Sequence, residues 1–505
     1  MTDVFLMGVD IGAGSQKTMI IDPLGNVRGE ASCAVRTYAP KPGWSEQNPR
    51  DWWAALCQTV PAALKKAGIR NSQIEGIAFS AGAHTPVLTD MSGQVLRPAI
   101  LWSDVRSSAE AAELAANHGA EILRLGLNHP QPTWTQAQLL WLTRHEPEIM
   151  NRAERLYIAK DWLRAQLTGT WETDHTEAVG TLLFDGRAGT WSSRLCEMID
   201  LDMKILPPVV APATVVGNVR KEAAEATGLA EGTRVICGTS DTSVEAFGAG
   251  AIGVGATTVK LATAATVSVV ATGPLVDAKL INYPFAVPDL WYTIGATNSC
   301  ASAHRWLAET FYSDVSADPS AQFALMDEMA ADIRAGAEGL MFHPYLQGER
   351  SPHWDPKLRA SFIGMSFVHD RRHFVRALYE GIAFSLRDVF GQLQNAGLTM
   401  HEATIIGGGS KSPLWRQIVA DVLNIPVSVP RESDASFGAA LMAGVGAGVF
   451  ADAIEAATRT IVIEDRHEPD TALARHYAEI HSVFQDAAHA LQPISHRLGN
   501  LAEDV

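Results

Sequence analysis

The stretch GVDIGAGSQKTMIIDPLGNV (residues 8–27) decides how the chain is read. It carries glycines, a hydroxyl and a lysine, the ingredients of a phosphate-binding loop. A Walker A loop places Gly directly before its Lys, yet Gln16 precedes Lys17. A dinucleotide fingerprint needs a third glycine where Lys17 stands. Both templates also run straight into a helix whose N-terminus holds the anion. Here the next residues are TMII, a β-branched apolar run, and DPLGN, a turn cluster. The pattern predicts strand, tight turn, strand, turn, strand. The glycine loop is then the tip of a β-hairpin. Two readings of that tip stay open: backbone N–H groups and Lys17 embracing a phosphate, or an ordinary turn without a ligand.

The chain has 505 residues, enough for two to four domains. Hydrophobic residues make up 47% and charged ones 19%, which fits sizeable buried cores. A formal net charge of −16 speaks against a nucleic-acid partner, since such proteins present a basic face. A small phosphate remains allowed, because local backbone dipoles can hold it. The five cysteines (Cys33, Cys57, Cys196, Cys237, Cys300) are odd in number and scattered, so they read as reduced, buried thiols. MTDVFLMG has no basic signal-peptide region, and no apolar run reaches the ~18 residues of a membrane span. A cytoplasmic protein without a membrane partner is expected.

Strand-like and helix-like runs alternate. IEGIAFSA (residues 74–81) reads as a strand ending in small residues. Residues 49–68, 106–126 and 137–150 read as helices. Residues 233–251 join a strand to a small-residue turn and a helix. TTVKLATAATVSVVAT (residues 257–272) is a second hairpin with a small-residue tip. Residues 402–430 run strand, glycine loop, helix, strand, and residues 470–491 form a long amphipathic helix. A hairpin opening each half predicts two related α/β domains, residues 1–245 and 246–505, each beginning with a β-meander. They would face each other across a cleft.

Asp241, in GTSDTSVEAFGAG (residues 238–250), lies among small residues where a strand gives way to a helix. It suits a general base for a hydroxyl, or a plain helix N-cap. In LWSDVR (residues 101–106), Trp102 offers an apolar wall for a sugar and Asp104 two acceptor oxygens. The alternative is an exposed loop with an Asp104–Arg106 ion pair. His84 is a further hydroxyl partner or a satisfied turn histidine. GGGS (residues 407–410), before a helix, offers bare backbone to a base or phosphate. Metal-ligand spacings and a G-x-S-x-G elbow are absent from the sequence.

Taken together, these pieces resemble the FGGY carbohydrate kinases, of the actin/hexokinase-like superfold, and most of all its xylulose kinases. GVDIGAGSQK resembles the family's first phosphate loop, and GWSEQNPRDWW (residues 43–53) and LRPAILWSDVR (residues 96–106) its sugar-side segments. KDWLRAQLTG (residues 160–169) and TDHTEAVGTLLFD (residues 173–185) resemble its middle. Residues 344–367 and 373–388 resemble its C-terminal signature, and residues 407–427 and 436–450 its adenosine-side segments. The resemblance implies two ribonuclease H-like α/β domains flanking a deep interdomain cleft that closes on its ligands. It implies phosphorylation of a sugar hydroxyl by ATP and Mg²⁺, with a ketopentose such as xylulose as acceptor. Another ketose or polyol, or a non-catalytic sensor of the same superfold, is the alternative; a homodimer stays open. By the same resemblance Asp241 is the base, and His84, Trp102 and Asp104 meet the sugar. Asp10 holds Mg²⁺; Gly12, Ser15 and Lys17 line the first phosphate loop, and Thr263 the second. Gly408 and Gly409 back the adenosine. The chain departs from the family where Gly-Gln-Met-His becomes Ala81-Gly82-Ala83-His84, which is expected to enlarge the sugar pocket. It departs again at Ala13-Gly14, at Ala262-Thr263-Ala264 and at Ala301, where hydroxyls or a glycine are usual.

Overall fold

The computed structural model describes residues 4–314, 316 and 318–503. They form two compact units. The first comprises the described residues up to Ile252, with Thr272–Tyr292 and Glu432–Ile461. The second comprises Gly253–Ala271, Thr293–Arg431 and the described residues from Val462 on.

In the first unit the opening stretch folds as β1 (Phe5–Ile11), β2 (Ser15–Ile21) and β3 (Val27–Ala34), an antiparallel meander. The turn before β3 is closed by Asp22, whose Oδ1 accepts from the Leu24 and Asn26 amides. β4 (Ile74–Ala81) lies parallel to β1, β6 (Arg234–Ile236) parallel to β4, and β5 (Val215–Asn218) antiparallel to β6. The sheet order is β5-β6-β4-β1-β2-β3.

Two helices sandwich this sheet, and the period of two along β1 assigns the faces. Phe5, Met7, Val9 and Ile11 share a core with Trp52, Leu56 and Val60 of the helix Pro49–Ala67. The alternate residues meet the helix Ala435–Gly446. A Cβ on Gly8 would lie 1.9 Å from the Ser436 carbonyl oxygen, so only glycine lets that helix sit so close.

The second unit repeats the plan. β7 (Thr257–Leu261) and β8 (Ala265–Ala271) form the second hairpin. β9 (Trp291–Ala296) follows, its residues from Thr293 on belonging to this unit. β10 (Ala403–Ile406) pairs parallel with β7, β11 (Val427–Pro430) parallel with β10, and β12 (Ile463–His467) antiparallel with β11. The order β9-β8-β7-β10-β11-β12 reproduces the arrangement of meander and parallel strands in the first unit. The expected pair of α/β domains, each opening on a meander, is present.

Two local expectations are corrected. Residues 137–150 are not one helix: Thr135–His145 and Pro147–Arg152 are separate, because Pro147 drives Glu146 out of the helical region, to φ −134° and ψ 53°. All five cysteines are free, but Cys33 and Cys57 are only half-buried.

Candidate active site

Leu6, Gly8 and Asp10 alternate on the face of β1 covered by the helix Ala435–Gly446. Asp434 is the N-cap of that helix, accepting from the Ser436 amide. The same geometry therefore brings Asp434 toward Asp10 from 424 positions away in sequence. Asp10 is in register with Lys17 on one side and Ser80 on the other, and the Ser80 hydroxyl donates to Asp10 Oδ1 at 2.8 Å. Burial, with Asp241, Asp434 and Glu245 nearby, pushes the Asp10 carboxyl well above the usual carboxylate range; the Ser80 bond opposes this. Lys17 lies 2.8 Å from Glu30 and 3.4 Å from Asp434. Burial pulls its ammonium down, but these two acids outweigh it and raise the pKa. The Gly12 amide closes the hairpin onto the Ser15 carbonyl at 2.9 Å, leaving Ala13 and Gly14 exposed at the tip.

Asp241 opens the helix Asp241–Gly248, and Ser240, not Asp241, is the N-cap. The Thr242 amide donates to Asp241 Oδ1 at 2.7 Å. Its loop is tied down on both flanks. Before it, the Thr239 hydroxyl donates to Asp174 Oδ1 at 2.7 Å. After it, the Thr242 hydroxyl meets the Tyr292 hydroxyl at 3.0 Å. The structure thus brings together Asp10 and Asp241, which the sequence singled out separately.

The residues expected to meet a sugar are more heavily engaged than their sequence suggests. Asp104 is buried, not in an exposed loop. Its Oδ1 accepts from the Arg106 amide and Nε at 2.8 and 2.9 Å, and its Oδ2 from the Ser45 amide and Arg106 Nη2 at 2.5 and 2.7 Å. A sugar hydroxyl would have to displace one of these donors. His84 adopts φ 66° and stacks on Trp134 with ring centroids 4.1 Å apart. Its Nε2 lies 2.7 Å from the Tyr283 hydroxyl. Burial pulls its imidazole down to about 3, against a hydrogen bond with the Thr133 backbone, so the ring is neutral at pH 7. Trp102 is 45% exposed. A Cβ on Gly82 would meet its indole at 2.9 Å, so the space expected from the missing Gln side chain is taken by Trp102.

In the second unit the tip of the β7–β8 hairpin and the glycine loop are neighbours. Thr263 is exposed, and its carbonyl accepts from the Cys300 amide at 3.0 Å and the Ser302 hydroxyl at 2.7 Å. A Cβ on Gly409 would lie 2.7 Å from Leu261 and 3.0 Å from Trp415, whereas Gly408 has open space. Close packing demands glycine at 409 and leaves 408 accessible.

Asp434, Ser80, Tyr283 and Tyr292 were not singled out in the sequence. For Asp434 a local signal exists, an Asp one residue before a small-residue helix. The other three announce themselves only through the sheet register and the loop at 272–292. Among the described residues no group of three or more His, Cys, Asp or Glu is disposed to hold a metal by itself. No helix among them is long and apolar enough to cross a membrane.

Residues 5–248 match the model of the FGGY family of carbohydrate kinases, N-terminal domain, and residues 258–447 that of its C-terminal domain. The xylulose kinase of Staphylococcus epidermidis is 33% identical over 488 residues, 96% of each chain. That of Bacillus subtilis is 34% identical over 463 residues, 90% of this chain and 91% of the other. The crystal structure of xylulose kinase from Rhodospirillum rubrum superposes with a TM-score of 0.89 at 30% identity, covering 97% of this chain and 100% of that one. With its two meander-led units and its acidic centre at Asp10, the chain belongs to the FGGY family of carbohydrate kinases.

Proposed function

We propose that this carbohydrate kinase phosphorylates a ketopentose such as xylulose, with Asp241 as the general base. The observation that carries this reading is the placement of Asp241 at a tethered strand-to-helix turn beside Asp10. Full-length similarity to xylulose kinases supports the choice of sugar. Asp241 accepts the proton of the attacking hydroxyl, a contribution of about 10²–10⁴-fold. Trp102 supplies the apolar wall, and His84 presents a neutral ring held by Tyr283. Asp104 anchors Ser45 and Arg106 and so holds the loop that carries Trp102. The base and first phosphate loop lie within residues 1–245, the adenosine contacts within 246–505. Gly12, Ser15 and Lys17 cradle phosphate oxygens on the first unit. Thr263 does so on the second, where Gly408 and Gly409 back the adenosine.

The residues at Asp10 fit Mg²⁺. A carboxylate crowded by other acids offers hard oxygen donors and gains from a cation. Asp10 would hold the ion, which when bound neutralises phosphate charge. Positioning and charge neutralisation are most of what phosphoryl transfer asks of a protein. Free cysteines fit a cytoplasmic enzyme. A kinase of another ketose or polyol is the second reading, favoured by Gly82 and Ala83 on the sugar side.

An ADP-release screen with Mg-ATP against ketoses and polyols tests this. The highest turnover is expected on D-xylulose. A clear preference for a different sugar would support the second reading, and no turnover on any member would overturn both.

A further inference from the structure

Behind the Asp241 loop lies a cluster of charges in the core of the first unit. Lys160, Asp161, Arg164 and Asp174 are all fully buried. Lys160 Nζ sits 2.6 Å from Asp161 Oδ1 and 2.8 Å from Asp174 Oδ2. Asp161 Oδ2 accepts from the Thr173 hydroxyl at 2.7 Å. Asp174 Oδ1 accepts from the Thr176 amide at 2.9 Å and the Thr239 hydroxyl at 2.7 Å.

Such a cluster is a poor way to gain stability. Desolvating the ions offsets their attraction, and well-packed apolar side chains commonly do as well or better. What the cluster does supply is direction. Its charges are locked to one another, and the Asp174–Thr239 bond links them to the chain just before Asp241. Between these points the backbone has little freedom. Gly238, at φ 75°, lies so close to β4 that a Cβ would meet the Phe79 carbonyl oxygen at 1.9 Å. Ser240 is the N-cap of the next helix. A shift of Asp174 is therefore transmitted through Thr239 to the first residue of that helix.

We infer that Lys160, Asp174 and Thr239 form a positioning relay that sets the carboxylate of Asp241 against the substrate hydroxyl. The inference rests on the reading of Asp241 as the base. Lys160 fixes Asp174 by charge, Asp174 fixes Thr239 by a hydrogen bond, and Thr239 fixes the approach of Asp241. None of the three touches the reacting atoms.

Thr239→Val removes the hydroxyl and keeps the side-chain shape. It is compared with Thr239→Ser, Lys160→Met and Asp241→Asn on the ketose or polyol giving the highest turnover with Mg-ATP. Thr239→Val is expected to lower kcat by about 10- to 100-fold, the scale of a misplaced reacting group, with the sugar KM and the melting temperature nearly unchanged. Thr239→Ser restores kcat, and Lys160→Met falls in the same direction. Wild-type kcat in Thr239→Val overturns the relay. So does a loss that Thr239→Ser fails to restore, or one that follows the melting temperature. An inactive Asp241→Asn beside a fully active Thr239→Val refutes the relay alone. An active Asp241→Asn refutes the base and the relay with it.

Discussion

The first unit holds two acidic centres built on opposite plans. Around Asp104 the neighbours are donors: Arg106 stacks on Trp44 at 3.6 Å and also meets Glu46 at 2.7 Å, and Arg97 joins Glu46 to Glu146 at 2.6 and 2.8 Å. Around Asp10 a single side-chain donor, the Ser80 hydroxyl, stands against three acids: Asp241, Asp434 and Glu245 all disfavour its charge. The first centre is satisfied by the chain itself and holds a loop in shape. The second leaves a buried carboxyl pushed well above its usual range by burial and by the acids around it. A carboxylate's neighbours, more than its identity, separate a structural role from a chemical one.

The largest expected effect falls on the second centre. Asp241→Asn should cut sugar phosphorylation by about 10²–10⁴-fold while ATP affinity stays near normal. ADP release and nucleotide titration check the two halves, and undiminished turnover would break the contrast. At the first centre, Asp104→Ala should destabilise the fold by about 3–5 kcal/mol, because it strips a partner from a buried guanidinium. Chemical denaturation measures this. A well-folded Asp104→Asn with a raised sugar KM would instead make Asp104 a sugar contact and blur the distinction.

Glu349, in the second unit, sharpens the comparison as a buried acid with few partners. Burial raises its carboxyl to about 7, against hydrogen bonds from the Arg350 and Asn298 amides. The folded-state pKa lies above the unfolded one. Its contribution is therefore full below about pH 4.3 and is lost as pH rises to about 7, a swing of up to about 4 kcal/mol. Glu349→Gln keeps an acceptor for both amides and should flatten that part of the stability–pH curve. An identical curve would show the carboxyl ionises normally. The smallest effect is expected from Gly82→Gln. It must displace the Trp102 indole, and should change the sugar KM several-fold with kcat for the best sugar little altered, a shift of about 1 kcal/mol. An unchanged substrate profile would detach Gly82 and Trp102 from the sugar.

Much of the fold was legible in the sequence because its signals are local. The alternation in residues 5–34, the DPLG turn and the small-residue tips specify meanders wherever they fold, and both hairpins appear as read. The break at Glu146 is equally local, signalled by Pro147, but the apolar positions Ile149 and Met150 resume beyond it and mask it. Asp10 and Asp241 were each visible as carboxylates beside glycines or small residues. Their meeting was not, since it depends on β1 and the Asp241–Gly248 helix coming together across the unit.

By itself, the sequence determined the two meander-led α/β domains, the hairpin form of the glycine-bearing first loop and membership of the kinase family. Periodicity, turn chemistry and motif order are properties of neighbouring residues and survive without a structure. Only the tertiary structure decided which acids stand together. It placed Asp434 beside Asp10, brought the Ser45 amide onto Asp104, laid Trp102 over Gly82 and tied Thr239 to a buried lysine through Asp174. These are contacts between residues tens to hundreds of positions apart. They are fixed by sheet register and helix packing, and no local pattern carries them.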